Sequence, residues 1–207
     1  MPRLLVATTN RGKLAEIAGL LEGIPFELRT LADFPDLPAP EESGRTFEDN
    51  ARAKALYYSA ATGELTVAED SGLEVDALDG APGVESARYG GADSSYPEKF
   101  ARLYAALRAR RGLDSPARFV CALALAGEGR VLFEARGVIE GRIADEPRGA
   151  GGFGYDPIFF YPPFGMTLAE AADRKSLVSH RAQAFRALKD FVGRDQAFGP
   201  ASLTPNS

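Results

Sequence analysis

The chain has 207 residues, of which 45% are apolar, enough for one domain, or one domain of two lobes, with a core of ordinary size. Its formal net charge of −5 argues against a surface that binds nucleic acid throughout, so an anionic ligand needs a local basic pocket or a metal ion. The single cysteine, Cys121, excludes an intramolecular disulfide, and its apolar surroundings in the sequence predict a small core residue.

Membrane insertion and secretion have no support in the sequence. Every apolar run is shorter than the roughly 20 residues that a transmembrane helix needs. The N-terminus lacks the pattern of a secretory signal. We therefore expect a cytoplasmic protein.

The first predicted element is a short apolar strand at residues 3–8. A polar turn at residues 8–13 follows, and Leu14, Ile17 and Leu21 then repeat at helical spacing. A strand that runs through such a turn into a helix offers a phosphate the free N–H groups of the helix start. The Gly-Lys-Ser/Thr ending of a Walker A loop is missing, so an ordinary capped connection is the alternative.

A second strand is predicted at residues 26–31, and an exposed loop rich in proline and acid follows at residues 35–42. Glu41 and Glu42 end this loop. They are either solvated charges or metal ligands, and the residues alone leave both open.

A capping-box pattern at Thr46 predicts the start of a helix, and Gly63 predicts its end. Asn50 and Lys54 lie four residues apart and therefore share one helix face. Taken alone, this pair is interpreted as surface polarity.

Two carboxylates, Glu69 and Asp70, follow the apolar strand at residues 65–68. Ser71 and Gly72 are predicted to turn the backbone there into a second strand. Carboxylates beside such a turn suit a hard cation and a phosphate, although a solvated acidic turn has the same pattern.

In the second half of the chain, Ser95 is predicted to cap a helix that opens with Tyr96 and Pro97. A hairpin is predicted from residues 118–126 and 130–139.

A loop at residues 148–157 carries four glycines, which let a ligand approach the backbone closely. Phe153 and Tyr155 interrupt these glycines and offer a stacking face, which is unusual for a flexible linker.

The only histidine, His180, stands beside Arg181 at the start of a predicted last helix. With Lys175 it forms a candidate group for recognition of an anion or a base. The tail at residues 196–207 is predicted to be flexible.

Together and in this order, these segments resemble the inosine triphosphate pyrophosphatase family, which hydrolyses non-standard purine nucleoside triphosphates. The resemblance spans about residues 3–192. The matching motifs lie at residues 8–13, 46–50 with Lys54, 69–72, 80–83, 86–89, 151–157, 175–176 and 179–181. Two departures are visible: Thr9 stands where the family more often has Gly, His or Asn, and Glu69 stands where Asp also occurs.

The resemblance implies an α/β fold, with an elongated mixed β-sheet flanked by helices and two lobes around a central cleft, in one domain over residues 1–195. It implies a homodimer that binds neither nucleic acid nor membrane. It also implies Mg²⁺-dependent hydrolysis of ITP, dITP and XTP to the monophosphate and pyrophosphate, in which water activated by Asp70 attacks the α-phosphate.

Roles for individual residues follow from the same resemblance. Asp70 is expected to bind the metal and act as general base, with Glu41 as the second metal carboxylate and Glu42 as a close alternative. The residues expected to bind the triphosphate are Thr8, Thr9, Asn10, Arg11, Gly12, Lys13 and Ser71, and those expected to hold the base and sugar are Phe153, Gly154, Tyr155, Asp156, Lys175, His180 and Arg181.

Base choice is expected to follow from hydrogen-bond polarity. Hypoxanthine and xanthine present an acceptor at position 6 and a donor at N1, and adenine presents the reverse. Donors such as Lys175 or Arg181, with an acceptor such as Asp156, fit the first pattern and mismatch the second. The residue that rejects guanine is not identified by this reasoning.

Three other functions remain open from the residues alone. One is a broader pyrophosphatase of pyrimidine or ordinary nucleoside triphosphates. Another is a regulatory module that binds a nucleotide without turnover, although an acidic pair beside a phosphate turn suits catalysis better. The third is an RNA-binding protein, which the net charge of −5 disfavours.

Overall fold

The computed structural model describes residues 1–110 and 112–194. The predicted flexible tail, residues 196–207, lies outside this part of the chain. None of the helices within it is long and apolar enough to cross a membrane.

The described residues form seven strands and five α-helices, with short 3-10 turns between them. The strands are β1 (Arg3–Val6), β2 (Glu27–Thr30), β3 (Leu65–Val75), β4 (Pro116–Gly127), β5 (Arg130–Ile143), β6 (Phe159–Tyr161) and β7 (Met166–Thr167). The helices are α1 (Arg11–Leu20), α2 (Phe47–Thr62), α3 (Tyr96–Ala109), α4 (Lys175–Val178) and α5 (His180–Arg194).

All seven strands belong to one sheet in the order β2-β1-β3-β4-β5-β6-β7. Strand β1 runs parallel to β2 and β3, with Leu4 opposite Leu28 on one side and Leu65 on the other. Strand β6 runs antiparallel to β5 and β7. The sheet is therefore mixed, as expected from the resemblance.

Helix boundaries follow the local signals in the sequence. The Asn10 side chain caps α1 by accepting a hydrogen bond of 3.0 Å from the Lys13 N–H. Thr46 caps α2 in the same way, accepting from the Asp49 N–H at 3.1 Å. Gly63 ends α2 with a positive φ of 72°, a conformation that glycine adopts without a steric penalty.

Strand β3 corrects the predicted turn at Ser71 and Gly72, because the strand continues without interruption from residue 65 to 75. At Gly72, β3 lies very close to the segment that contains Gly83 and Ser86. A Cβ atom at this position would lie 2.7 Å from the carbonyl oxygen of Gly83 and 2.3 Å from Oγ of Ser86. The N–H of Leu73 then donates a hydrogen bond of 2.9 Å to Ser86 Oγ.

The described chain divides into two compact units. Unit 1 contains residues 1–70, 121–137 and 181–194, and unit 2 contains residues 71–110, 112–120 and 138–180. Each unit has its own apolar core. The core of unit 1 includes Leu4, Ile17, Val67, Cys121, Leu123 and Phe185, and that of unit 2 includes Leu73, Phe100, Leu103, Phe119, Ile158 and Phe159.

Candidate active site

Two groups of polar side chains contain the residues with expected functions, one in unit 1 and one in unit 2. The group in unit 1 is built on Glu69 and Asp70 in the middle of β3. The two residues are only 3% and 7% exposed. A carboxylate buried to this extent is stable only with partners that compensate for its loss of water.

Glu69 is held by two cations. Its Oε1 lies 2.7 Å from Nζ of Lys13 and 3.5 Å from Nη2 of Arg181, and its Oε2 accepts a hydrogen bond of 3.3 Å from the Cys121 thiol. Burial raises the pKa of Glu69, but the charges of Arg181 and Lys13 outweigh burial and bring this pKa well below its usual value. Glu69 therefore stays ionised and fixes the positions of both cations.

Arg181 is 1% exposed. Its Nη1 lies 2.8 Å from Oε2 of Glu16, so the guanidinium contacts carboxylates of both α1 and β3. Burial lowers the pKa of Arg181, yet the charge of Glu69 keeps it above its ordinary value. These contacts make Arg181 a support for Glu69, and a direct contact with the base stays a prediction.

Asp70 has a different environment from Glu69. Its Oδ2 accepts a hydrogen bond of 2.9 Å from Nδ2 of Asn50, and its Oδ1 lies 3.5 Å from Nζ of Lys54. Burial raises the pKa of Asp70, and Lys54 and Asn50 offset this only in part, so the pKa stays above its ordinary value. A higher pKa makes this carboxylate the better proton acceptor of the pair.

Asn50 and Lys54 correct their interpretation as surface polarity. They lie on one face of α2, as their spacing predicts, but that face is turned inward and both side chains contact Asp70. The Asn50 amide is fixed further by the Gly44 N–H, which donates to Oδ1 at 2.8 Å. The spacing of four residues was the signal for this pair, and the sequence alone did not show that the pair meets Asp70.

The acidic loop contributes Glu42 to this group. Oε1 of Glu42 lies 2.8 Å from Nζ of Lys54, whereas Glu41 is exposed. The structure therefore brings Glu42, and not the first-named Glu41, toward Asp70 through their common partner Lys54.

A metal ion fits the chemistry of these donors. In the described residues, no three side chains of His, Cys, Asp or Glu come together as a ready metal site. Mg²⁺, however, typically takes one or two carboxylates from the protein and completes its shell with water and substrate phosphates. Asp70 and Glu42 offer such carboxylates, and both already contact one positive charge, that of Lys54.

The polar turn at residues 8–13 is a well-formed helix start. The Thr8 hydroxyl accepts a hydrogen bond of 3.2 Å from the Asn10 N–H, and Thr9 and Arg11 are exposed. Gly12 lies in the first turn of α1. The structure thus has a capped connection at this turn, with Asn10 as the cap, and phosphate binding at the same turn stays a prediction.

In unit 2, the glycine-rich loop organises Phe153, Asp156 and Lys175. Oδ2 of Asp156 lies 2.7 Å from Nζ of Lys175 and accepts a hydrogen bond of 2.9 Å from the Phe153 N–H. The same ammonium lies 4.4 Å from the centroid of the Phe153 ring. Gly152 permits this arrangement, because a Cβ atom there would lie 2.2 Å from Oδ2 of Asp156.

The two aromatic residues of this loop differ in exposure. Phe153 and Gly154 are partly exposed, whereas Tyr155 is buried and donates a hydrogen bond of 2.9 Å to the carbonyl of Ser86. Burial also raises the pKa of Tyr155. Phe153 is therefore the more accessible of the two residues, and Tyr155 anchors the loop.

His180 and Ser71 complete the expected residues. His180 is buried, and its ring stacks on Phe119 with 5.0 Å between centroids and 15° between planes. Ser71 is half-buried and follows Asp70 directly in β3. Sequence reasoning missed Glu16, which lies three residues after Lys13 on α1 and contacts Arg181.

Comparisons with known proteins show which family the chain belongs to. A family model described as the Ham1 family matches residues 4–191. The dITP/XTP pyrophosphatase of Geobacter sulfurreducens is 49% identical over 93% of the chain and 98% of that protein, and the one from Listeria monocytogenes is 43% identical over 93% and 96%. A solved HAM1 protein from Coxiella burnetii matches with a TM-score of 0.88 at 39% identity, over 94% of the chain and 100% of its own.

Proposed function

Because the chain belongs to the Ham1 family, we propose that it hydrolyses the non-standard purine nucleotides dITP, XTP and ITP to the monophosphate and pyrophosphate. Two curated relatives that are 49% and 47% identical over at least nine tenths of the chain are dITP/XTP pyrophosphatases. The observation that carries the proposal is the buried Asp70, held between Asn50 and Lys54 with its pKa above the ordinary value.

Asp70 is the general base in this proposal. Its carboxylate takes the proton of a water molecule that attacks the α-phosphorus, so that pyrophosphate leaves and the monophosphate remains. General-base assistance of this kind contributes on the order of 10²- to 10⁴-fold to the rate. The hydrogen bond from Asn50 supports this role by holding the carboxylate in one orientation.

Asp70 and Glu42 are the residues that would hold Mg²⁺. When bound, the ion neutralises phosphate charge and polarises the phosphorus. Lys54 contacts both carboxylates and so links them. The geometry favours Glu42 over Glu41 for this role.

Lys13 and the first N–H groups of α1 are the proposed partners of the triphosphate. A helix N-terminus favours negative charge. Because Asn10 already accepts the Lys13 N–H, the N–H groups proposed for the phosphates are those of Arg11 and Gly12 at the start of α1. Glu69 fixes the Lys13 ammonium at the same end of the helix.

Lys175 and Asp156 are the proposed readers of the base, with Phe153 as a stacking face. The ammonium is a donor that suits a 6-oxo group, and the carboxylate is an acceptor. Adenine presents a donor where hypoxanthine presents an acceptor, so it leaves a mismatched polar group. A mismatch of that kind can reduce kcat/KM by about 10⁴-fold.

The test is product analysis by chromatography with ITP, XTP, dITP, dUTP, GTP and ATP, each with Mg²⁺ and with EDTA. We expect ITP, XTP and dITP to give monophosphate and pyrophosphate only with Mg²⁺, while ATP and GTP survive. Formation of a nucleoside diphosphate would contradict attack at the α-phosphorus. Cleavage of every nucleotide would contradict the proposed selection of the base by Lys175 and Asp156. Binding of ITP without cleavage would indicate a regulatory module.

The homodimer, which rests on the resemblance alone, and the cytoplasmic location, which was expected from the sequence, are further parts of the proposal. Light scattering of the purified protein tests the first, since a dimer has twice the 22.1 kDa of one chain.

A further inference from the structure

Tyr96 contacts the glycine-rich loop of unit 2 and has no part in the function proposed so far. It is the first residue of α3 and is 36% exposed. Its ring meets the Tyr155 ring edge-to-face, with 5.5 Å between centroids and 89° between planes. A Cβ atom on Gly154 would lie 3.5 Å from the Tyr96 hydroxyl oxygen, so the phenol lies against the loop backbone itself.

The loop depends on such contacts because its own backbone is permissive. Gly152 and Gly154 have positive φ values of 69° and 67°, and glycine carries the largest conformational freedom of any residue. The end of the loop and its middle are held by different side chains. Asp156 is fixed by Lys175, whereas the middle at Gly154 is covered by the Tyr96 side chain.

Tyr96 is itself held in place from a second side. Nζ of Lys99 lies 4.8 Å from the Tyr96 ring centroid and donates a hydrogen bond of 2.8 Å to the carbonyl of Ala87. Lys99 is buried, so this contact is shielded from water. Burial and the charge of Asp156 both raise the pKa of the Tyr96 phenol, which agrees with a position close to that carboxylate.

We propose that Tyr96 is a positioning residue for base selection: by packing on Gly154 and Tyr155 it holds the loop at residues 151–156 in the conformation that aligns Phe153 and Asp156. The proposal rests on the proposed function of Lys175 and Asp156 as readers of the base. A misalignment of about 1 Å at such a site can cost on the order of 10²-fold in rate, so one supporting ring has a measurable effect.

The start of α3 does not depend on Tyr96, which permits a clean test. Ser95 caps the helix, and both its N–H and its hydroxyl contact Oε2 of Glu98 at 2.7 Å. Ser95→Ala therefore removes stabilising contacts beside Tyr96 without touching the loop. It is the matched control for a loss of stability alone.

The experiment measures kcat and KM for dITP and dATP in wild type, Tyr96→Ala, Tyr96→Phe and Ser95→Ala. We expect Tyr96→Ala to lower the ratio of kcat/KM for dITP over dATP by roughly tenfold, chiefly through a higher KM for dITP. Tyr96→Phe keeps the ring and should keep the ratio. Ser95→Ala should lower the Tm and leave the ratio at the wild-type value.

A second measurement, amide hydrogen exchange at residues 151–156, is independent of catalysis. Faster exchange there in Tyr96→Ala, and not in Ser95→Ala, supports the positioning role, and unchanged exchange with an unchanged ratio overturns it. If wild type leaves dITP intact, the proposed function fails and exchange alone decides whether Tyr96 holds the loop. If Tyr96→Ala does not fold, Tyr96→Leu is measured in the same way with the same criteria.

Discussion

Two neighbouring residues, Glu69 and Asp70, show how local contacts divide the chemistry of a carboxylate pair. Lys13 and Arg181 bring the pKa of Glu69 far down, while burial leaves that of Asp70 raised. Two carboxyl groups with widely separated pKa values are typical of active sites. One of them stays ionised and stabilises charge, and the other accepts or donates a proton in the reaction. The proposal that Asp70 is the base follows from this difference.

Replacement of Asp70 tests the base directly. Asp70→Asn keeps the shape of the side chain but removes its basicity, so we expect kcat for dITP to fall by about 10²- to 10⁴-fold. The Tm should change little, because Lys54 retains its contact with Glu42. Asp93→Asn, at an exposed carboxylate of unit 2, is the control and should keep full activity. Near-normal turnover of Asp70→Asn would remove Asp70 from this role.

The two acidic residues at the end of the loop before α2 provide a matched pair. Because Glu42 reaches Lys54 and Glu41 is exposed, Glu42→Gln should lower kcat/KM for dITP by about 10- to 100-fold and raise the Mg²⁺ concentration needed for half-maximal rate. Glu41→Gln should change both by less than about twofold. Steady-state kinetics across a Mg²⁺ series measures this. A larger effect at Glu41 would restore the first expectation from the sequence.

At the scale of elements, β3 explains how the buried pair is presented. A strand alternates its side chains between two faces, so consecutive carboxylates in β3 point to opposite sides and meet different partners. Helix α2 supplies Asn50 and Lys54 to Asp70, and α1 supplies Lys13 to Glu69.

Replacement of a glycine by alanine should have opposite effects on stability in β3 and in α1, at Gly72 and Gly19 respectively. In β3, Gly72→Ala should destabilise the protein by about 1–3 kcal/mol, because the new methyl group would meet the backbone of Gly83 and the side chain of Ser86. In α1, Gly19→Ala should stabilise it by about 0.5–1 kcal/mol, since nothing lies within 4 Å of the new Cβ. Urea denaturation measures both. If Gly72→Ala changed the free energy of unfolding as little as Gly19→Ala, the segments around Gly72 would have moved to make room for the new methyl group.

For the whole molecule, stability is carried by two apolar cores, one in each unit. Buried tyrosines belong to the core of unit 2. Tyr104 donates a hydrogen bond of 2.9 Å to the carbonyl of Ala144, and burial, with a smaller effect of Asp145, raises the pKa of its phenol to about 12. The folded state therefore favours the protonated phenol.

The raised pKa of Tyr104 leads to a prediction for the free energy of unfolding at alkaline pH. Between about pH 10 and 12 the unfolded chain has lost the Tyr104 proton and the folded protein retains it, so the free energy of unfolding falls as pH rises. Two pH units correspond to about 2–3 kcal/mol. Tyr104→Phe removes this contribution, and urea denaturation from pH 8 to 12 should show a shallower fall than in wild type. Parallel curves would contradict the raised pKa.

Much of the site was visible in the sequence because its signals are local. The capped turn before α1, the capping pattern at Thr46 and the glycines around Phe153 each act within a few residues, and the structure has α1, α2 and the loop at those places. The predicted core position of Cys121 is also confirmed.

Other parts could not be predicted, because they depend on contacts between distant segments. Arg181 and Glu69 are 112 residues apart in the chain, and no local pattern shows that they meet. The inward face of α2 and the preference for Glu42 depend in the same way on how α2 packs beside β3.

By itself, the sequence determined the order of motifs, and with it the family resemblance, the expected hydrolysis of purine nucleoside triphosphates and most helix boundaries. Only the tertiary structure decided that β3 is unbroken, that Tyr155 anchors its loop and that Glu69 and Asp70 have opposite pKa shifts. Caps and periodicity are set by neighbours in the chain, whereas burial and ion pairing are set by neighbours in space, and the proton chemistry of a carboxylate follows the second.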